Sequence, residues 1–262
     1  MRRSLVVALA GLGVVGSGCL DPKQREPGWT PPEGDSDTDS DADSDTDADT
    51  DINCDVAEPC GGDYDPADEG DLEAITLCES ITGCLFFDDQ AWLTSFDLPC
   101  LTTVGALYIN YNDNLTSIDL TSLTTVGGTL GIYDNALTSL EGLSSLTTVG
   151  GNLYIYYSDF LTSLEGLSSL TAVGDDLDIY DNDALASLDM PSLTSADGYL
   201  YIRENDALTS LDMPSLTTVG GNLAISNNAS LCQSDAEAFA ASLYVSGTVT
   251  VENNGSARTD CK

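Results

Sequence analysis

The stretch Ser144–Leu167, SSLTTVGGNLYIYYSDFLTSLEGL, decides the fold, because edited copies of it recur along most of the chain. A fixed period of this length predicts stacked repeats, each of which shares its apolar face with its neighbours. The copies align on the apolar residue that opens "LYI", and successive copies are 22 to 24 residues apart. The aligned residues are Leu85, Leu107, Leu130, Leu153, Leu177, Leu200 and Leu223.

Each copy contains a short strand with one apolar face. Leu153 and Ile155 lie in columns that stay apolar in the neighbouring copies, whereas the columns of Tyr154 and Tyr156 vary. Such alternation is typical of a half-buried strand. Shorter alternations such as "LTSLDM" and "SLTTVGG" follow, with Gly-Gly and Asn-Asp pairs at the corners. We therefore predict an all-β solenoid of about seven coils over residues 85–231.

A column of asparagines follows this strand, and Ser158 interrupts it once. Asparagine tolerates left-handed backbone angles and bonds nearby backbone groups, so we interpret the column as corner residues. A ladder of ligand-binding side chains is the alternative interpretation. The column consists of Asn112, Asn135, Asn182, Asn205 and Asn228.

Residues 1–18 have the layout of a signal peptide. Arg2 and Arg3 precede an apolar run that is too short to span a bilayer, and small residues come directly before Cys19. This order resembles a bacterial lipobox, after which the cysteine carries lipid. We predict an exported protein anchored at the cell surface through Cys19, with the bacterial outer membrane as its expected location. An ordinary secretory signal followed by a structural Cys19 is the alternative.

Residues 19–53 are dominated by aspartate alternating with Ser, Thr or Ala. Such a segment has nothing to bury and repels itself, which predicts a disordered, solvated stalk. An EF-type calcium loop would need an internal glycine and a closing glutamate, and both are missing from the Asp-rich run. The whole chain has 44 acidic and 7 basic residues. This balance excludes electrostatic binding to nucleic acid and leaves the lipid as the expected link to the membrane.

The two ends of the repeat region differ from the repeats. Residues 54–84 are predicted to form an N-terminal cap, with a short helical turn over residues 71–77. Residues 232–262 are predicted to form a C-terminal cap, in which Ser234–Glu237 is a capping box that opens a helix. Terminal caps keep the open edges of a solenoid from pairing with other chains.

Several motifs together resemble receptor L domains, over roughly residues 71–261. They are "ITGCL", the repeated "GGNLYI", the ending "NNASLC" and the final "GTVTVENN" followed by a cysteine. The resemblance implies a right-handed β-helix with leucine-rich-like repeats. It also implies a binding or scaffold domain rather than an enzyme, without implying which ligand is bound.

Eight cysteines in an exported chain indicate disulfides rather than a metal site, since the sequence has no histidine. We expect Cys232 and Cys261 to pair and close the C-terminal cap. If Cys19 carries lipid, seven cysteines remain, and one thiol would be left unpaired.

The partner of Cys78 is left open between two interpretations. The resemblance to receptor L domains implies a bond to an earlier cysteine, Cys54 or Cys60. The repeat register favours Cys100 instead, because a spacing of 22 residues places it on the adjacent coil.

Catalysis by Ser-His or Cys-His machinery is excluded because histidine is absent. Carboxylates remain, and one recurs in each coil beside an inward leucine. We interpret this acidic column as a solvated edge. Weak calcium binding and a carboxylate-dependent polysaccharide-degrading enzyme are the alternatives, and no cofactor or dedicated metal site is expected. The column consists of Asp97, Asp119, Glu141, Glu165, Asp189 and Asp212.

Two columns of tyrosine point away from the predicted core on the same strands. Exposed aromatic side chains on a rigid sheet suit contacts with proteins or sugars, so we predict a binding face for a protein or a neutral glycan. Because tyrosine also favours half-exposed strands, a purely structural role is the alternative. The predicted face consists of Tyr108, Tyr154 and Tyr201, then Tyr133, Tyr156 and Tyr180, with Arg203 among them.

Overall fold

The computed structural model describes Cys54 and residues 57–255. The predicted signal peptide, Cys19 and the Asp-rich stalk lie outside the described residues, as does Cys261. The described part is mostly β, and its largest sheet has 15 strands, all paired in parallel. Helices are few, which agrees with the all-β prediction.

The "LYI" segments form a stack of parallel strands, here called the main stack. Each strand pairs with its equivalents in the preceding and following repeats, in register: Leu153 lies between Leu130 and Leu177. With strands numbered in chain order, the main stack consists of β2 (Cys78–Asp88), β4 (Thr103–Asn110), β7 (Leu130–Tyr133), β9 (Leu153–Tyr156), β11 (Leu177–Tyr180), β14 (Leu200–Arg203), β17 (Leu223–Ser226) and β19 (Val249–Glu252).

The strand phase is as predicted. Leu153 and Ile155 are fully buried, while Tyr154 and Tyr156 are half-buried on the opposite side of the sheet. The inward leucines, isoleucines and valines of all repeats join into one continuous core. Each repeat depends on its neighbours for this burial, which is why a single copy would not fold alone.

A second run of short strands, the side stack, comes from "TTV" and its equivalents, and it joins the main stack through β4. Its strands are β6 (Thr125–Val126), β8 (Thr148–Val149), β10 (Ala172–Val173), β13 (Ser195–Ala196), β16 (Thr218–Val219) and β18 (Tyr244–Val245). Outside both stacks, β3 (Ser95–Asp97) pairs with β5 (Ser117–Asp119), and β12 (Ser187–Asp189) pairs with β15 (Ser210–Asp212). At the N-terminal end, β1 (Glu58–Cys60) pairs with β2.

The third side of the repeats is the one that carries the acidic column, and there the middle repeats do not form the short strand that the sequence predicts. The sequence "EGL" forms single 3₁₀ turns at Glu141–Leu143 and Glu165–Leu167. Gly142 and Gly166 lie against backbone of the preceding repeat, where a Cβ atom would collide with it. The acidic column is therefore not one continuous row, because Glu141 and Glu165 sit on these turns between the paired strands that carry the aspartates.

The asparagine column forms a buried ladder at the corners, where its amides bond backbone groups as predicted. Each amide donates to a main-chain carbonyl of the preceding repeat, as Asn182 does to Ile155 at 2.9 Å. The left-handed angles expected for these asparagines belong to the residue before each of them, for example Asp181 (φ 54°) and Asn227 (φ 60°). A buried amide has enough donors and acceptors to satisfy the backbone groups of the corner. The ligand-ladder alternative is wrong, because the column is closed to solvent.

Two α-helices lie at the ends of the described repeats. Helix α1 (Glu69–Glu73) begins at Asp68, whose carboxylate accepts from the N–H groups of Gly70 and Asp71. Helix α2 (Gln233–Ala241) begins after Cys232, and no side chain caps it. The predicted capping box at Ser234 is therefore wrong. Cys232 occupies the N-cap position and its backbone forms a β-bridge with Gly255, so Ser234 lies inside the helix.

The N-terminal disulfides settle the pairing of Cys78. Cys78 bonds Cys60, as the resemblance implied, and Cys54 bonds Cys100, so the register-based Cys78–Cys100 pairing is wrong. Cys84 and Cys232 are disulfide-bonded as well. The expectation of one unpaired thiol is therefore not met among the described cysteines, none of which is free.

Candidate binding face

The outward side chains of the main stack form one surface, here called the aromatic face. On every strand the two inward positions hold leucine, isoleucine or a similar residue, and this forces the residues between and after them outward. Because the strands are in register, each outward side chain lies beside its equivalent on the next strand. The face consists of Tyr108, Tyr133, Tyr154, Tyr156, Tyr180, Tyr201 and Arg203, all of them half-buried.

The tyrosine rings of the middle repeats contact one another. Tyr156 lies at the centre, with ring centroids 5.0 Å from Tyr133, 5.5 Å from Tyr154 and 5.9 Å from Tyr180. Most of these contacts are edge-to-face, the geometry that aromatic pairs prefer over a direct sandwich. The two predicted columns thus merge into one aromatic surface.

Gly131 lies between Tyr108 and Tyr154 in their column, and the rings of its neighbours fill the space that its missing side chain leaves. A Cβ at Gly131 would lie 2.6 Å from Tyr133 Cε2 and 3.1 Å from Tyr108 Cδ1. Both rings therefore lean over the glycine and fill the gap in the column. On its other side, Tyr108 stacks on Phe86 with the ring planes 8° apart.

A charged pair lies within the aromatic face. The Arg203 guanidinium donates to Asp178 Oδ2 at 2.7 Å, and the Tyr156 hydroxyl donates to the same oxygen at 2.9 Å. Arg203 also lies over the rings of Tyr180 and Tyr201, at 5.2 Å and 4.9 Å from their centroids. Arg203 is the only basic residue within the repeats. Its guanidinium is thus held by one carboxylate and two aromatic rings.

Burial dominates the titration behaviour of the face. It raises the pKa of Asp178, against the opposing effects of the Arg203 charge and the hydrogen bond from Tyr156. Burial also raises the pKa of Tyr154 and of Tyr180 to about 12, and it raises the pKa of Tyr156 with help from the neighbouring Asp178 charge. The phenols of Tyr154, Tyr156 and Tyr180 therefore stay neutral hydrogen-bond donors at any physiological pH.

Sequence reasoning missed several members of this surface. Phe86 and Asp178 occupy the same column as Tyr108, so register alone would have included them. Tyr157, in the turn after β9, has its ring centroid 5.4 Å from that of Tyr180. Tyr199, the residue before β14, stacks on Tyr201. Nothing in the repeat pattern marks these last two, because they lie outside the strand positions.

The carboxylates on the third side do not gather into a metal site. Among the described residues no group of three or more His, Cys, Asp or Glu side chains could hold a metal ion. Asp97 and Asp119 lie side by side on β3 and β5, and burial together with the Asp119 charge raises the pKa of Asp97. Both line an open cavity of about 640 Å³ beside helix α1, together with Leu72 and Glu73.

Residues 147–244 match the family model described as Receptor L domain. This part of the chain is thus receptor L domain-like, as the repeat motifs predicted, and the match suggests a binding or scaffold module. No curated protein matches the chain.

Proposed function

We propose that this chain is a non-enzymatic, surface-exposed binding module that uses its aromatic face to hold a protein or a neutral glycan. In this proposal the repeats form a right-handed solenoid of about seven coils with capped ends. A lipid on Cys19 and the Asp-rich segment hold the module at the cell surface. The absence of histidine from the sequence supports a role in binding rather than catalysis.

The observation that carries the proposal is the continuous contact of rings across the face. A sheet that only needed covering would be served by unconnected β-branched or polar residues. Here the rings of Tyr133, Tyr154, Tyr156 and Tyr180 touch across three neighbouring strands. Rigid aromatic side chains offer a large contact area at a low cost in conformational entropy, which suits recognition.

The triple substitution Tyr154→Ser, Tyr156→Ser and Tyr201→Ser tests the proposal. We expect the wild type to bind a partner on a glycan array or among purified surface proteins, and the variant to lose most of that binding. Thermal denaturation should show that the variant still folds. Tyr244→Ser is the matched control, since Tyr244 is exposed on β18, outside the aromatic face. Full binding by the triple variant would place the site elsewhere.

No described helix has the length and apolar character needed to cross a membrane. We propose membrane attachment through a lipid on Cys19, and we propose the outer membrane as the location. Both rest on the sequence of residues 1–19.

A further inference from the structure

The aromatic face contains polar atoms that are buried but have no hydrogen-bond partner. Among the described residues, four buried side-chain polar atoms lack a partner, and three of them lie in the two columns of this face, where Asn110 pairs in register with Tyr133. They are Asp178 Oδ1, Arg203 Nε and Asn110 Oδ1, while the fourth, Ser234 Oγ, is in helix α2. Buried polar groups are nearly always paired, so their concentration on one surface needs an explanation.

Asp178 is the most informative of these residues. It is 7% exposed, and it uses only one of its two oxygens, Oδ2, for both Arg203 and Tyr156. A carboxylate facing a guanidinium usually forms two parallel hydrogen bonds. Here the carboxylate and the guanidinium share only the 2.7 Å contact between Asp178 Oδ2 and Arg203 Nη2. The second carboxylate oxygen, Oδ1, and the guanidinium Nε have no hydrogen-bond partner. One unpaired acceptor and one unpaired donor therefore belong to the same ion pair of the aromatic face.

We propose that this pair recognises a hydroxyl group of a neutral oligosaccharide, which donates to Asp178 Oδ1 and accepts from Arg203 Nε. The inference rests on the proposed function, because it assigns the ligand class of the same face. A hydroxyl is suited to this position because it is both a donor and an acceptor. The rings of Tyr154 and Tyr201, which flank Asp178 in register, would contact the apolar faces of the sugar.

The charges of the chain favour a neutral ligand over a charged one. The formal net charge of −37 repels anionic sugars. A cationic group could bond Asp178 Oδ1, but it has no acceptor for Arg203 Nε and would face the guanidinium at short range. Because both atoms are buried, we expect a neighbouring side chain such as the half-buried Tyr154 or Tyr201 to turn aside when the ligand binds, as surface side chains do readily.

The position of Asn110 indicates a ligand longer than one sugar. Asn110 lies on β4, and Asp178 lies on β11, three strands further along the main stack. At about 4.8 Å per strand the two sites are about 14 Å apart, along the direction in which the strands stack. An oligosaccharide that lies across the strands could satisfy both.

The test is a calorimetric titration of the full chain with defined hexasaccharides. The neutral probes are β-1,4-, α-1,4- and β-1,3-linked glucose, β-1,4-linked mannose and β-1,4-linked N-acetylglucosamine. The charged comparators are hexagalacturonate and hexalysine. We expect at least one neutral probe to bind and neither comparator to compete with it.

Two substitutions then address the polar pair. Arg203→Lys keeps the positive charge beside Asp178 but removes the Nε–H donor. Asp178→Asn turns its oxygen toward Arg203 and so places an amide donor where the free acceptor was. We expect each variant to weaken binding about tenfold, the effect of losing one charge-assisted hydrogen bond. Ser226→Ala, next to Arg203 in the same column, is the control and should bind as the wild type does.

The outcomes separate this inference from the proposed function. If the tyrosine triple variant loses binding but Arg203→Lys and Asp178→Asn keep it, the face binds sugar and the polar pair does not recognise it. If no neutral probe binds, or if only hexalysine binds, the sugar inference is wrong and the proposed function is judged by protein partners. If Asp178→Asn fails to fold, Arg203→Lys decides alone.

Discussion

Asn182 Nδ2 donates to Asn205 Oδ1 at 3.1 Å, and the same oxygen accepts the Asn182 main-chain N–H at 3.2 Å. The relationship repeats between Asn205 and Asn228, so one amide per repeat links the corners of the main stack. Ser158 interrupts the ladder, because its hydroxyl donates back to the Tyr156 carbonyl at 3.3 Å. Asn135, the preceding member, therefore lacks the amide link that the other members have.

Replacing Ser158 with asparagine should complete the ladder and stabilise the protein. The new amide oxygen would accept from Asn135, as its equivalents do in the neighbouring repeats, for a gain of about 1 kcal/mol in the free energy of unfolding. Urea denaturation measures this. The reverse change, Asn182→Ser, is the control and should lower stability by at least as much. A destabilised Ser158→Asn protein would mean that this corner has no room for the amide.

Ile155→Asp should unfold the middle repeats, whereas Tyr154→Ser should be tolerated. Ile155 is fully buried in the core, where a carboxylate has no partner, at a cost of several kcal/mol. Tyr154, one residue earlier, is half-exposed on the opposite side of the sheet. Circular dichroism melts of both variants check the difference. Equal damage from the two would contradict the assigned strand phase.

Gly166→Ala should destabilise the 3₁₀ turn of its repeat by about 1–3 kcal/mol, the usual cost of overpacking. A Cβ at this position would collide with the Leu140 carbonyl, which is backbone and has little freedom to move. Gly127→Ala is the matched control, because its Cβ would meet the nearest atom, the Gly105 carbonyl oxygen, at an ordinary 3.5 Å. Thermal unfolding compares them. Similar melting temperatures for both variants would contradict the close packing of the turns.

Asp181→Asn should stabilise the protein at neutral pH and flatten its pH dependence. Burial, together with neighbouring charges led by Asp183 and Glu204, raises the pKa of Asp181 to about 6. The unfolded value is about 4, so the folded chain binds more protons between pH 4 and 6, and stability falls as the pH rises through this range. The side chain is only half-buried, and screening by solvent reduces the effect to on the order of 1 kcal/mol.

Asparagine fits the left-handed backbone at this position, since Asn227 and Asn253 occupy equivalent turns. Urea denaturation at pH 4.5 and 7 measures the effect. Glu79→Gln is the control, because it removes one exposed charge far from this turn. An unchanged difference between the two pH values in Asp181→Asn would assign the pH dependence to other groups.

Cys19→Ser should release the protein from membranes, and labelled palmitate should mark the wild type alone. The competing fate of this thiol is a disulfide, the state of every cysteine in the part of the chain that the structure describes. Mass spectrometry of the non-reduced protein distinguishes the two. A peptide that links Cys19 to another cysteine, without lipid, would refute the anchor.

The sequence by itself determined the stacked repeats, the strand phase and the outward position of the tyrosines. These features follow from the repeated sequence, because Leu and Ile recur at the same positions of each copy and each recurrence indicates the same buried positions. The likeness to receptor L domains also followed from the sequence, and so did the Cys60–Cys78 bond as one of its implied alternatives.

Only the tertiary structure decided features that depend on contacts between repeats. Within one copy, Gly166 looks like an ordinary turn residue. In the structure it lies in a 3₁₀ turn rather than the predicted strand, and glycine is needed there because a Cβ would collide with the backbone of the preceding repeat. Asp178 looks like one more polar outward residue until Tyr156 and Arg203, each from a neighbouring strand, converge on one of its oxygens and leave the other unpaired. Such features are invisible within one repeat, because the atoms that create them lie more than twenty residues away in the chain and meet only when the repeats stack.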